Sequence, residues 1–210
     1  MSELFSIQLQ NRQQQGRDGV WLDLPTTTEQ VQAALRQIGI SSDNPQGLFI
    51  SGYFAEEEKR FAIPYNMVLA SNVDELNFLA SRLETLSTGE RAELNAALQA
   101  PQSELFSIGR ITDFPENVDY YVHLPDVHGP AQLGDYYLNR SGMVDMPEEW
   151  KGGIDTAQFG RYVAQQEQGA FTQYGYLVKS GDEWQKVHEG QPVPEEYRVL
   201  SFPVPEVMRD

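Results

Sequence analysis

The chain has 210 residues, no cysteine, and 31 acidic against 15 basic residues, a formal net charge of −16. That charge argues against direct binding to DNA, RNA or an anionic membrane, because the long-range field repels all three. Without Cys there are no disulfides, thiol nucleophiles or thiolate metal sites, and the 10 Phe, 10 Tyr and 3 Trp can bury a real core, which excludes wholesale disorder.

Leu4-Phe5-Ser6-Ile7-Gln8-Leu9 has the partly alternating pattern of a half-buried strand, and Val20-Trp21-Leu22-Asp23-Leu24 reads as the strand returning after a polar turn. Pro25 stops it, and Thr26-x-x-Glu29 reads as a capping box. The helix that follows carries Val31, Ala34, Leu35 and Ile38 on one stripe, with Gly39 at its C-cap. Leu48-Phe49-Ile50 and Tyr53-Phe54 make a third strand, completing a β-β-α-β unit by about residue 62. The middle of the chain is helical: Val73, Leu76, Leu79, Ala80, Leu83 and Leu86 form a stripe that Ser71 or Asn72 can cap. Ser87-x-x-Glu90 opens a shorter helix with Leu94, Ala97 and Leu98 inward, and Pro101 closes the region.

Ser103-Glu104-Leu105-Phe106-Ser107-Ile108 then repeats residues 2–7 letter for letter, and Tyr121-Val122-His123-Leu124-Pro125 loosely echoes Trp21-Leu22-Asp23-Leu24-Pro25. Either the strings recur by chance or a β-β-α-β unit is duplicated. Gly175-Tyr176-Leu177-Val178 reads as a further strand. From Gly181 onward the chain is rich in Pro and acids, an accessory tail expected to pack on the last domain, with Val199-Leu200-Ser201-Phe202 as an edge strand.

The sequence contains no GxSxG elbow, GxxxxGK phosphate loop, GxGxxG after a strand, or HExxH. His123 and His128, with Asp126 between them, lack both helical spacing and further ligands, so no metal, cofactor or catalytic residue is expected. No apolar run approaches the roughly 20 residues of a membrane span and no basic-then-apolar leader opens the chain, the profile of a soluble cytoplasmic protein.

The arrangement of charge is more informative. Residues 101–210 hold 18 acids and 8 bases, and the densest stretch carries Asp113, Glu116, Asp119, Asp126, Asp135, Asp145, Glu148, Glu149 and Asp155 against only Arg140 and Lys151. A disordered acidic tail would be a block of Asp and Glu with few aromatics. Here Phe114, Tyr120, Tyr121, Tyr136, Tyr137 and Trp150 are interleaved, which points to carboxylates displayed on a folded surface. Such a surface is either an ordinary solvated face or a fixed lattice of negative charge standing in for phosphates.

Leu133-Gly134-Asp135-Tyr136-Tyr137-Leu138, followed by Gly142 and Pro147, resembles the antirestriction motif of ArdA-type antirestriction proteins. The resemblance extends to Gly19-Val20-Trp21-Leu22-Asp23-Leu24-Pro25-Thr26-Thr27, to Leu76-Asn77-Phe78-Leu79-Ala80-Ser81-Arg82-Leu83, and on through Ile154-Asp155, Phe159-Gly160-Arg161 and Phe171-Thr172-x-x-Gly175-Tyr176. It implies an elongated, dimeric α+β protein of three small domains that mimics bent B-form DNA. Such a protein blocks type I restriction–modification enzymes by occupying their DNA-binding groove, has no catalysis of its own, and acts in the cytoplasm of a cell newly entered by a mobile element. The family pattern has acids after the Tyr-Tyr pair, where this chain has Asn139-Arg140. It also has an acidic segment after the third strand, where this chain has Ser51-Gly52-Tyr53 and acids only at Glu56-Glu57-Glu58.

The expected division is therefore an α+β domain over 1–62, a small helical domain over 63–101, an α+β domain with the motif over 102–180, and a tail over 181–210. The acids from Asp113 to Asp155 are the candidate contacts with the methyltransferase core of the enzyme, with Asp23 and Glu56 to Glu58 secondary. Leu133, Gly134, Tyr136 and Tyr137 are expected to shape a core or a dimer contact. Twice the chain's net charge matches roughly 16 base pairs of duplex at one charge per about 1.7 Å. The competing expectation is an acidic adaptor that binds another basic DNA-binding or defence protein.

Overall fold

The computed structural model describes residues 4–14, 18–57, 60–101 and 103–205. The fold is α+β: two three-stranded antiparallel sheets, each with helices packed on it. The chain divides into two compact units, Met1–Leu86 with Phe106–Pro115 and Lys186–Asp210, and Ser87–Leu105 with Glu116–Gln185.

In the first unit, β1 (Phe5–Asn11) is the central strand between β2 (Val20–Leu24) and β3 (Leu48–Phe54). The alternation read from the sequence is the cause. Phe5, Ile7 and Leu9 point to a buried face with Leu22, Leu24 and Ile50, while Ser6, Gln8 and Gln10 alternate onto the other face. Register places Ser6 between Asp23 and Phe54, and Gln8 between Trp21 and Gly52, with a bulge between Gln8 and Leu9. Helix α1 (Thr28–Gln37) covers the buried face with Val31, Ala34 and Leu35. Full burial of Val31 or Leu35 contributes about 1.5–3 kcal/mol. Its capping box lies one residue later than expected: Thr27 accepts from the Gln30 N–H, and the Gln30 side chain accepts from the Thr27 N–H. Thr26 is instead buried, its N–H held by Asn77 at 2.8 Å. Gly39 ends the helix at φ 67°, in the left-handed region.

Helix α2 (Tyr65–Leu69) packs on β3, and α3 (Val73–Leu83) carries the expected stripe, capped by Asn72 with Glu75. The short helix α5 (Ile108–Thr112) packs against α3. Here the letter-for-letter repeat diverges. In the first copy Phe5, Ser6 and Ile7 lie in a strand with partners on both sides. In the second, Ser107 accepts from the Arg110 N–H as the N-cap of α5. The shared Phe-Ser-Ile takes two structures because tertiary pairing overrides local propensity.

The second unit has β6 (Gly175–Lys179) between β4 (Tyr121–Leu124) and β5 (Ala170–Thr172). Its central strand comes last in the chain, whereas that of the first unit comes first, so the two sheets do not repeat one topology. Helix α4 (Thr88–Gln99), capped by Ser87 and Glu90, lies on β4 and β6. The remaining helices are α6 (Pro130–Asp135), which runs into a π-helical turn over Tyr136–Arg140, then α7 (Glu148–Lys151) and α8 (Thr156–Gln166).

The tail departs from expectation. Residues 186–205 belong to the first unit and not to the part of the chain that precedes them. No strand forms at 199–202, because Asp74 Oδ1 takes the N–H groups of Val199 and Leu200 at 2.7 Å each. Asn77 Nδ2 donates to the Tyr197 carbonyl at 3.0 Å, and the Phe78 ring packs tilted against Tyr197 and edge to face with His188.

Candidate enzyme-binding surface

Helices α6 and α8 build the scaffold of the motif region. They cross in close contact because both have a glycine at the crossing. A Cβ on Gly134 would strike the Thr156 carbonyl, and one on Gly160 would strike the Pro130 carbonyl. Leu133 and Gly134 are buried, and Leu133 joins Val127 and Tyr176 in a core cluster onto which Tyr136, Tyr137, Val163 and Phe171 pack. Two phenols of this cluster converge on one carboxylate: Tyr137 Oη donates to Glu167 Oε2 at 2.8 Å and Tyr176 Oη to Oε1 at 2.6 Å. Burial, reinforced by that carboxylate, holds both hydroxyls well above the ordinary tyrosine range, so they stay protonated donors. Glu167 was invisible in the sequence, where nothing ties it to residues 9 and 30 positions away.

On this scaffold most of the expected acids reach the surface. Glu116, Asp119, Asp126, Asp145, Glu148, Glu149 and Asp155 are exposed. Asp155 also caps α8, accepting the Gln158 N–H at 2.9 Å, and Glu148 pairs with Lys151 at 2.6 Å. Asp135 is half-buried and partly neutralised: Arg140 lies 3.2 Å away, Asn139 donates to it at 2.8 Å, and the Arg140 guanidinium sits over the Tyr136 ring. Asn139 and Arg140 thus fold back onto the motif's own acid.

Asp113 is a correction. It is wholly buried, and its carboxylate accepts the N–H groups of Val187, His188 and Glu189 at 3.2, 2.6 and 3.1 Å. Three backbone donors lock it into anchoring the tail within the first unit, so it presents no charge to a partner. Also in the first unit, Asp23, Glu56 and Glu57 are exposed, while Glu58 lies outside the described residues.

One further acid of the second unit stands out. Glu93 on α4 is half-buried with Oε1 shielded from solvent and without a hydrogen-bond partner. Desolvation, then the charges of Glu90 and Asp119, push its carboxyl up to about 8. Glu90 goes the other way: hydrogen bonds from the Ser87 side chain and backbone hold it below the usual carboxylate range.

Residues 15–178, more than half of the chain and including both the glycine crossing and the acidic series from Glu116 onward, match the family described as antirestriction protein (ArdA). The chain belongs to that family. It is thus an antirestriction protein, of a class that acts against restriction enzymes. No curated protein matches the chain. Within the ArdA match, the motif residues Leu133, Gly134, Tyr136 and Tyr137 are packing residues of the second unit, and the carboxylates around them carry the charge. Among the described residues no helix is long and apolar enough to cross a membrane.

Proposed function

We propose that this ArdA protein inhibits type I restriction–modification enzymes as a mimic of duplex DNA. Its carboxylates take the places of backbone phosphates in the enzyme's DNA-binding groove, against the methyltransferase core, with two copies of the chain acting together as a homodimer in the cytoplasm. The observation that carries this reading is the exposed series from Glu116 to Asp155, spaced along a folded surface instead of massed in a run. A groove shaped for phosphates has Lys and Arg at intervals set by the duplex. Carboxylates fixed on helices and short loops meet those cations without the ordering entropy that a flexible acidic tail would lose on binding. The inhibitor needs no chemistry of its own, because occupancy alone denies the enzyme its substrate.

The test is competition. With a purified type I enzyme and its target duplex, the protein displaces DNA with a one-for-one trade between the two ligands. A stable ternary complex of enzyme, DNA and this protein on native gels would refute the mimic.

A further inference from the structure

Among the described residues no helix covers the outer face of the first unit's sheet, which carries two large exposed rings. Trp21 is 49% exposed and Phe54 58%, and they meet edge to face with centroids 6.4 Å apart. The indole reaches across the sheet: Trp21 stands opposite Gln8, and Gln8 opposite Gly52. A Cβ on Gly52 would come within 3.0 Å of Trp21 Cη2, so the bare glycine is what lets the ring lie there. Along the next row Asp23 faces Ser6 and Ser6 faces Phe54, with the Ser6 hydroxyl donating to Asp23 Oδ1 at 2.6 Å. Among the described residues no cation pairs with Asp23. A hollow of about 220 Å³ is lined by Asp23, Phe54 and Glu56, both carboxylates being exposed.

We propose that this face is a docking surface for an arginine side chain of a basic protein partner, the guanidinium lying on the Trp21 and Phe54 rings and bonding to Asp23. This deepens the reading above, on which it rests for the nature of the partner. Charge complementarity selects the occupant. Flat rings can stack on a nucleobase as well, but carboxylates beside them, on a chain of net charge −16, repel the phosphates that come with it. Arginine fits better than lysine because its guanidinium is planar, weakly hydrated and able to stack and bond a carboxylate at once. The same face already holds one such contact within the chain, with Arg12 over the Phe49 ring, 5.2 Å from its centroid.

The experiment titrates the full-length protein with octa-arginine and with octa-lysine at physiological salt, following the indole N–H signals of Trp21, Trp150 and Trp184 by NMR. Octa-arginine binds about two- to fivefold more tightly than octa-lysine and shifts the Trp21 signal most. The double substitution Trp21→Leu with Phe54→Leu removes that preference and leaves octa-lysine affinity, which net charge carries, unchanged. Equal affinity of the wild type for both peptides, or a preference that survives the leucines, overturns the proposal. So does a change of oligomeric state in the double variant, which would assign the face to a second copy of the chain. Where circular dichroism shows the double variant unfolded, Phe54→Leu alone decides: a reduced preference supports the site and an intact one overturns it. If the wild type inhibits no type I enzyme, the DNA-mimic reading fails while the peptide result stands on its own.

Discussion

At the scale of single residues, two acids show that sequence position does not fix a carboxylate's role. Asp113 sits in the same run as the exposed acids, yet it spends its charge on three backbone N–H groups 74 to 76 residues away. Asp113→Ala leaves those part-buried donors without their acceptor and is expected to cost about 1–3 kcal/mol, read as a lower urea midpoint at unchanged slope. Glu93 is the opposite case, a carboxyl that the fold keeps protonated. Its folded form holds the proton up to about pH 8, whereas the unfolded chain releases it near the ordinary carboxyl value of 4.5. The native state therefore binds the extra proton between those values. The associated stability is fully present below about 4.5 and is lost as pH rises toward and through 8. With solvent reaching part of the group, the cost above that window is on the order of 1–2 kcal/mol. Glu93→Gln abolishes this slope, so the variant matches the wild type at pH 5 and exceeds it at pH 9. Parallel stability curves for the two proteins across that range would refute the assignment.

At the scale of elements, whatever depends on neighbours in sequence was legible before the fold. β1 and β2 followed from alternation, and the stripe of α3 from its 3.6-residue period. The Ser87 cap followed from a side chain and an acid three residues apart, and Asn72 was one of two candidates, with Ser71, for the start of α3. What depends on distant partners was not. Nothing local distinguishes the two copies of Leu-Phe-Ser-Ile; only the strands on either side of β1 make the first one extended. Nor does the tail announce that Asp74 and Asn77 hold it, since those partners lie 120 or more residues upstream. The motif of the second unit falls between these cases. Its letters were visible, but the reason for its glycine was not, because Gly160 on another helix supplies the other half of the contact. Gly160→Ala should therefore force α8 off α6, because the new Cβ meets the rigid Pro130 backbone and not a flexible side chain. An overpacked contact of this kind costs about 1–3 kcal/mol. Thermal unfolding should show the loss, whereas the same change at Gly152, where a Cβ has open space, should show little.

At the scale of the whole molecule, the question is whether the charge acts by amount or by place. Net charge alone steers encounter, raises the association rate and is insensitive to where a carboxylate sits. A phosphate-like lattice instead needs particular positions. Two sets of four exposed acids separate the alternatives at equal charge. Asp119, Asp126, Asp145 and Glu149 lie within the ArdA match, and Asp182, Glu183, Glu195 and Glu196 lie beyond its end at residue 178. Each acid changed singly to its amide should do little, since one exposed pair is worth about 0.2–1 kcal/mol. Changed together, the first set should weaken inhibition of a type I enzyme well over tenfold and flatten its salt dependence, because each lost ion pair no longer responds to screening. The second set should leave the salt slope within reach of the wild type and slow association only modestly. Equal losses per charge in the two sets would mean that bulk field is all that matters, and the lattice would have no place in the mechanism.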